Sequence, residues 1–121
     1  MHADLQEAAL AQNPPNASVL HGHAALATLM EGRTDAAAAH LRQMKLGPHP
    51  SVLFIRMLVH AETGDMATAR KAFASLKQQG SAFVTDVDKE LAVRNIRGAD
   101  MSRIKAILHR VETTTIAAHF D

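Results

Sequence analysis

The sequence predicts an all-α fold that is built from antiparallel helix hairpins stacked on one another. The chain of 121 residues is 47% hydrophobic but only 3% aromatic, and alanine and leucine, which favour helices, dominate its apolar residues. Apolar residues recur at the helical spacing i, i+4, i+7, as in Ala69, Phe73 and Leu76. A glycine-centred pattern also recurs along the chain, which indicates a repeated helix–turn–helix unit.

The repeated pattern occupies residues 30–41, 62–73 and 97–108. Gly32 and Gly64 lie 32 residues apart in the first two copies, and Asp65 and Asp100 lie 35 residues apart in the second and third. In each copy a glycine that can end a helix in the left-handed conformation precedes a second amphipathic run. Each copy therefore predicts the turn and second helix of one hairpin.

The predicted elements begin with a short helix at about 3–11, which ends before the Asn-Pro-Pro-Asn segment. Asn16, Ser51, and either Thr85 or Asp86 are the predicted N-caps of the helices that follow. Three consecutive threonines at 113–115 leave the end of the chain ambiguous, because β-branched residues weaken a helix prediction. The predicted hairpins pair helices at about 17–31 with 34–46, 51–63 with 66–79, and 84–97 with 100–112 or beyond.

This pattern divides the chain into three parts. Residues 1–16 form an N-terminal capping helix or half-repeat, residues 17–112 form the three hairpins, and residues 113–121 form a C-terminal tail. The links between hairpins fall at 47–50 and 80–81, where glycine, proline and serine interrupt the helical pattern.

Several classes of function find no support in the sequence. The chain has no cysteine, which excludes disulfides, thiolate nucleophiles and cysteine-bound zinc. Its formal charge of +1 gives no strong attraction to nucleic acid, and no nucleophile or phosphate-binding motif occurs. We therefore expect no enzymatic activity and no cofactor. Apolar runs are shorter than the ~20 residues that span a bilayer, so we expect a cytoplasmic protein.

Eight histidines raise the question of a metal site. His21 and His23 lie two positions apart on a predicted helix and therefore point in nearly opposite directions. No His-x-x-x-His spacing falls on a predicted helix, so we expect packing or surface histidines that make stability mildly pH-dependent. A long-range site that combines, for example, His21 and His60 stays open.

The hairpin pattern resembles the tetratricopeptide repeat, a helix–turn–helix unit of about 34 residues. That family has a small residue midway along its first helix, Gly at the turn, Ala early in the second helix, then an aromatic or Leu, and a late Pro. The large residues early in its first helix are replaced here by His21, Leu53 and Asp88. The matching residues are Ala25, Gly32, Ala37, Leu41 and Pro48 in the first copy, Gly64, Ala69 and Phe73 in the second, and Ala92 and Leu108 in the third.

The resemblance implies a right-handed solenoid of about three repeats, whose first helices line a concave groove. The residues that match groove positions are mostly apolar, so the groove should hold an apolar helix or extended peptide of a partner protein. Only Lys89 could clamp a carboxylate, and Lys89 or Asp86 would set the register. The implied groove residues are Val19, Gly22, Leu26 and Leu29 from the first copy, Ser51, Phe54, Leu58 and Ala61 from the second, and Asp86, Lys89, Val93 and Ile96 from the third.

The predicted function is therefore a protein-interaction module: an adaptor, an assembly factor or a secretion-type chaperone. In length and in holding an apolar segment, the arrangement resembles the small helical-repeat chaperones of bacterial type III secretion. An unfilled groove also favours self-association. In one alternative the groove residues are simply core, covered by the chain's own ends, and in another the chain is an ordinary α-bundle.

A second class of function comes from the 35-residue spacing and the segment at 73–80. These features also resemble the pentatricopeptide repeat, a related hairpin that reads single-stranded RNA. The near-neutral charge and the apolar face of the predicted first helices argue against RNA binding.

Overall fold

The computed structural model describes residues 3–11, 17–44, 47 and 49–120, with the side chains of 6, 17–19 and 117–120 left out. Throughout this described part the secondary structure is helical, without strands, which confirms the all-α prediction. The predicted cap Asn16 lies outside the described residues. The helices are α1 (Ala3–Leu10), α2 (Ala17–Met30), α3 (Thr34–Arg42), α4 (Pro50–Glu62), α5 (Met66–Gln78), α6 (Ala82–Thr85), α7 (Val87–Val93) and α8 (Gly98–Phe120).

Two helix hairpins, α2–α3 and α4–α5, form at the predicted glycine turns. Gly32 and Gly64 have φ of +79° and +92°, a left-handed conformation that costs glycine little. After the second turn, Asp65 caps α5, because its carboxylate accepts the backbone N–H of Thr68 at 3.2 Å. Local sequence therefore fixes both turns.

The N-terminus of α4 differs from the prediction. His49, rather than Ser51, is the N-cap, and its Nδ1 accepts the backbone N–H of Ser51 at 3.1 Å. Pro50 takes the first helical position, where a missing N–H removes no helical hydrogen bond. The helix therefore begins one residue earlier than expected.

The predicted helix 84–97 is wrong, because the chain forms two short helices, α6 and α7, that meet at Asp86 (φ −150°, ψ 58°). Ser81 caps α6 through its hydroxyl, which accepts the N–H of Phe83 at 3.2 Å. Thr85 is the last residue of α6. Asp86 precedes α7 as predicted, but its side chain makes no capping hydrogen bond. Valine, threonine and aspartate at 84–86 favour such a break, since each has low helix propensity.

Helix α8 continues past residue 112 through the segment that the division into three parts had assigned to a C-terminal tail. The hydroxyls of Thr113, Thr114 and Thr115 donate to the carbonyl oxygens of residues 109, 110 and 111, each at 2.8 Å. These bonds let three β-branched residues remain in a helix. Among the described residues, no helix has both the length and the apolar character needed to cross a bilayer.

The third predicted hairpin does not form, because α8 packs on α4 and α5 more extensively than on α7. Helix α4 likewise packs on α2 and α3, the two helices of the hairpin before it. Arg103 donates to the carbonyl of Met30 at 3.1 Å, and Arg110 donates to the carbonyl of Ala61 at 3.4 Å. Both arginines satisfy carbonyls at helix C-termini, which lack partners within their own helices.

One continuous apolar core joins these helices. Its fully buried side chains include Leu29 of α2, Met57 and Leu58 of α4, Phe73 of α5 and Ile104 of α8. Because residues from four of the longer helices share this core, both hairpins and α8 are one packed unit.

The histidines of the hairpins lie partly inside this packing. Burial lowers the pKa of His60, and Arg56 acts in the same direction, while Asp65, whose Oδ2 lies 3.6 Å from Nδ1, opposes both. Burial also lowers the pKa of His40, and the charge of His21 lowers it further. The neutral form of each imidazole is therefore favoured in the folded chain.

We expect the protein to lose thermal stability as the pH falls from about 7.5 to about 5.5. The pKa of His60 is lowered in the folded state, so below about 6.5 the unfolded chain binds more protons and gains stability relative to the fold. Thermal unfolding of the His60→Gln variant should depend less steeply on pH in this range, with residual dependence from His40. The control is His109→Gln, an exposed residue of α8. Equal slopes for the wild type and His60→Gln would contradict the prediction.

We expect Arg103→Ala to lower the free energy of unfolding by about 1–2 kcal/mol, because the charged hydrogen bond to the Met30 carbonyl is lost. Urea unfolding measures the change. Lys105→Ala is the matched control: Lys105 pairs with exposed Asp88 at 2.8 Å, and an exposed ion pair of this kind contributes less than about 1 kcal/mol. If both variants lost the same small amount, the role of Arg103 in holding α8 on α2 would be refuted.

Candidate binding cleft

A cleft of about 600 Å³ opens between α2, α4 and the segment that contains α6, α7 and the start of α8. Its apolar walls include Leu26 from α2, Phe54 from α4, Phe83 from α6, and Leu91 and Ile96 from α7 and the loop after it. These five side chains also belong to the core, and each is at most 9% exposed. This surface is called the cleft below.

A smaller recess of about 310 Å³ adjoins the cleft and shares four of its residues. It continues along α4 towards Met44, His49 and Val52. The shared residues are Gly22, His23, Ser51 and Ile55. The cleft and the recess therefore form one elongated depression along α2 and α4.

An aromatic stack holds α6 against α4 and so fixes one wall of the cleft. The rings of Phe54 and Phe83 have centroids 4.3 Å apart and planes inclined by 19°. The guanidinium carbon of Arg94 lies over the Phe83 ring, 4.5 Å from its centroid, in a cation–π contact. Three elements are thereby tied together at one point.

The end of α7 brings the chain back to the cleft. Asn95 is the one described non-glycine residue with positive φ, at +60°, and the next N–H, that of Ile96, donates to the carbonyl of Leu91 at 2.9 Å. This is the hydrogen bond of a left-handed helix cap, in which asparagine can replace glycine. Ile96 therefore folds back beside Leu91, and both are buried.

Charged residues surround the mouth of the cleft, and they nearly balance. Arg94 donates to a carboxylate oxygen of Glu90 at 2.6 Å. Arg97 also lines the cleft, and within the described part of the chain its guanidinium makes no hydrogen bond or ion pair. Asp100 lines the same edge and takes part in an interaction of its own. The mouth therefore has no strong net charge.

The structure brings several of the predicted groove residues together. Gly22, Leu26, Ser51, Phe54 and Ile96 all line the cleft. These residues come from three different predicted first helices. The side chain of Val19 lies outside the described residues.

Three other predicted groove residues also belong to the core, but they do not line the cleft. Leu29 and Leu58 are fully buried, and Ala61 is 6% exposed. Leu29 and Leu58 therefore lie in the core and not on a groove surface, where α8 packs on α4 and Arg103 of α8 reaches the carbonyl of Met30 at the end of α2.

The remaining predicted groove residues, Asp86, Lys89 and Val93, are exposed and are not among the residues that line the cleft. The cause is the break at Asp86, because residues 84–97 do not form one straight helix. The groove positions assigned to Asp86, Lys89 and Val93 assumed such a helix and are therefore wrong.

Phe83, Leu91, Arg94 and Arg97 line the cleft but were not predicted to do so. A signal for one of them was present, because Ser81 two residues before Phe83 marks a helix start. Ile96 returns to the cleft through the left-handed conformation of Asn95, a residue that was predicted to lie inside a helix.

Across the described ranges, no three His, Asp or Glu side chains lie together in a way that could hold a metal ion. The one described side-chain nitrogen that is buried without a partner, Nε of Arg56, belongs to a residue that does not line the cleft.

Comparisons of the chain with protein-family models, with curated proteins and with solved structures gave no match.

Proposed function

We propose that the protein is a non-enzymatic interaction module that holds an apolar helix or extended peptide of a partner protein in the cleft. The observation that carries this proposal is the elongated apolar depression between α2, α4 and α6–α7. Its larger part, about 600 Å³, lies within the roughly 300–1,000 Å³ over which proteins bind ligands.

The shape of the depression favours a peptide. The cleft and the recess adjoin through Gly22, Ser51 and Ile55, so a segment that crosses Ser51 could place one apolar side chain in each. Apolar burial contributes about 25 cal/mol per Å² before ordering costs are subtracted. The near balance of charge at the mouth is consistent with a partner held mainly by apolar contact.

We further propose that the helices form a short solenoid similar to tetratricopeptide repeats. The packing of α8 on α4 and α5 repeats the packing of α4 on α2 and α3, which supports this arrangement. In it, α8 takes the place of the first helix of a third unit, and α6–α7 is inserted before it. The corresponding biological role is that of an adaptor, an assembly factor or a secretion-type chaperone.

A display library of random twelve-residue peptides tests the proposal. We expect the full chain to select peptides rich in apolar residues, and we expect Ser51→Trp to weaken their binding at least tenfold. The indole at this half-buried position would fill the bridge between cleft and recess. Fluorescence anisotropy with the selected peptides measures the affinity, and thermal unfolding confirms that the variant is folded.

Ser75→Trp is the matched control, because Ser75 is a half-buried serine of α5 that does not line the cleft. It should bind the selected peptides like the wild type. Failure to select any peptide, or equal binding by Ser51→Trp and the wild type, would refute the proposed function. Light scattering that shows a dimer disrupted by Ser51→Trp would identify a second copy as the occupant and would also refute it.

A further inference from the structure

Two histidines meet on the opposite side of α2 from the cleft. His21 of α2 and His40 of α3 place their Nδ1 atoms 2.9 Å apart, with ring centroids separated by 5.2 Å. Both side chains are half-buried. The Gly32 turn brings them together from positions 19 residues apart. Neither residue lines the cleft, so the proposed function leaves this pair unexplained.

The distance between the two nitrogens is close to that of a chelating pair. Metal–imidazole bonds of about 2.0–2.1 Å at a right angle place two nitrogens about 3 Å apart. A tetrahedral ion needs about 3.4 Å between them. Right angles between ligands are typical of Cu²⁺ and Ni²⁺ in square-planar or tetragonal sites. These ions therefore require little change in the separation, whereas Zn²⁺ requires the rings to move apart.

Metal binding requires the proton between the two rings to leave Nδ1. In the metal-free pair one neutral ring donates Nδ1–H and the other accepts it. A metal ion needs both Nδ1 lone pairs, so the donor ring must exchange to its Nε2–H tautomer through solvent. Both rings must also turn so that their lone pairs converge on one point. No net proton is released, because each imidazole stays neutral.

The surroundings favour the neutral, metal-binding form of His40 and leave part of the coordination sphere to water. Burial and His21 lower the pKa of His40, as does Arg33, while Glu7 of α1 acts in the opposite direction. Glu7 is itself held by Arg33 at 3.0 Å. Because the described residues supply no third ligand, the ion would be exchangeable.

We propose that His21 and His40 form a two-histidine site for a divalent transition-metal ion, with Ni²⁺ and Cu²⁺ fitting with the least movement. A bound ion links α2 to α3 and therefore stabilises the first hairpin. Neither histidine lines the cleft, so the test of this metal site and the test of the proposed function have separate outcomes.

Thermal unfolding of the full, untagged chain with increasing NiCl₂ tests the site. We expect the unfolding temperature to rise by several degrees and to keep rising with the logarithm of the nickel concentration once the site is filled, because one ion binds the folded chain and not the unfolded one. His21→Gln and His40→Gln should each reduce this shift at least fivefold at the same nickel concentration. His2→Gln and His23→Gln are the controls, and they should retain it. The absence of a nickel-dependent shift, or its loss in His2→Gln instead, would overturn the proposal.

A second measurement uses the wild type alone and therefore does not depend on how well the variants fold. Zn²⁺ added to ¹⁵N-labelled protein should shift the Nδ1 resonances of His21 and His40 and leave both rings as Nε2–H tautomers. A response shared equally with the exposed His23 and His109 would mean adventitious binding only, and it would overturn the site.

Discussion

The burial of α4 is the constraint on which the rest of the structure depends. More than half of its residues are buried, on nearly every side of the helix, which is typical of a helix at the centre of a core. It packs against α2, α3, α5 and α8. Both hairpins and α8 therefore share one apolar surface, and each covers a part of α4 that would otherwise face water.

The cleft exists because this cover is unequal along α4. At the C-terminal end, α8 lies across the helix, and Arg110 contacts the carbonyl of Ala61 and the carboxylate of Glu62. At the N-terminal end, the cover comes from the short helices α6 and α7, which are anchored through the Phe54–Phe83 stack. Short helices cover less surface than a long one. The N-terminal half of α4 is consequently the part that remains accessible.

Much of the fold followed from local sequence. Gly32 and Gly64 set the two hairpin turns, and the helical spacing of residues such as Ala69 and Phe73 gave α5 its buried face. These features were predictable because the turn residues and the periodicity act within a few positions. The extension of α8 was not, because the back-bonding of three threonine hydroxyls offsets their poor helix propensity.

The candidate sites were only partly predictable, for the same physical reason. Leu26, Phe54 and Ile96 were expected in one groove and do line one cleft, but the break at Asp86 moved the rest of that face away. The break lies among residues of low helix propensity, and Ile96 returns through the left-handed conformation of Asn95, and helical periodicity marks neither feature. The His21–His40 pair is likewise a contact between helices, so no local spacing marks it.

One turn of α2 connects the two surfaces. His21 faces His40 on α3, and His23, two residues later, lines the cleft. Gly22 between them packs so closely that a Cβ there would lie 3.1 Å from the terminal methyl of Met44, a residue that lines the recess. Any ligand that fixes His40 relative to His21 also fixes the end of α3 relative to α2.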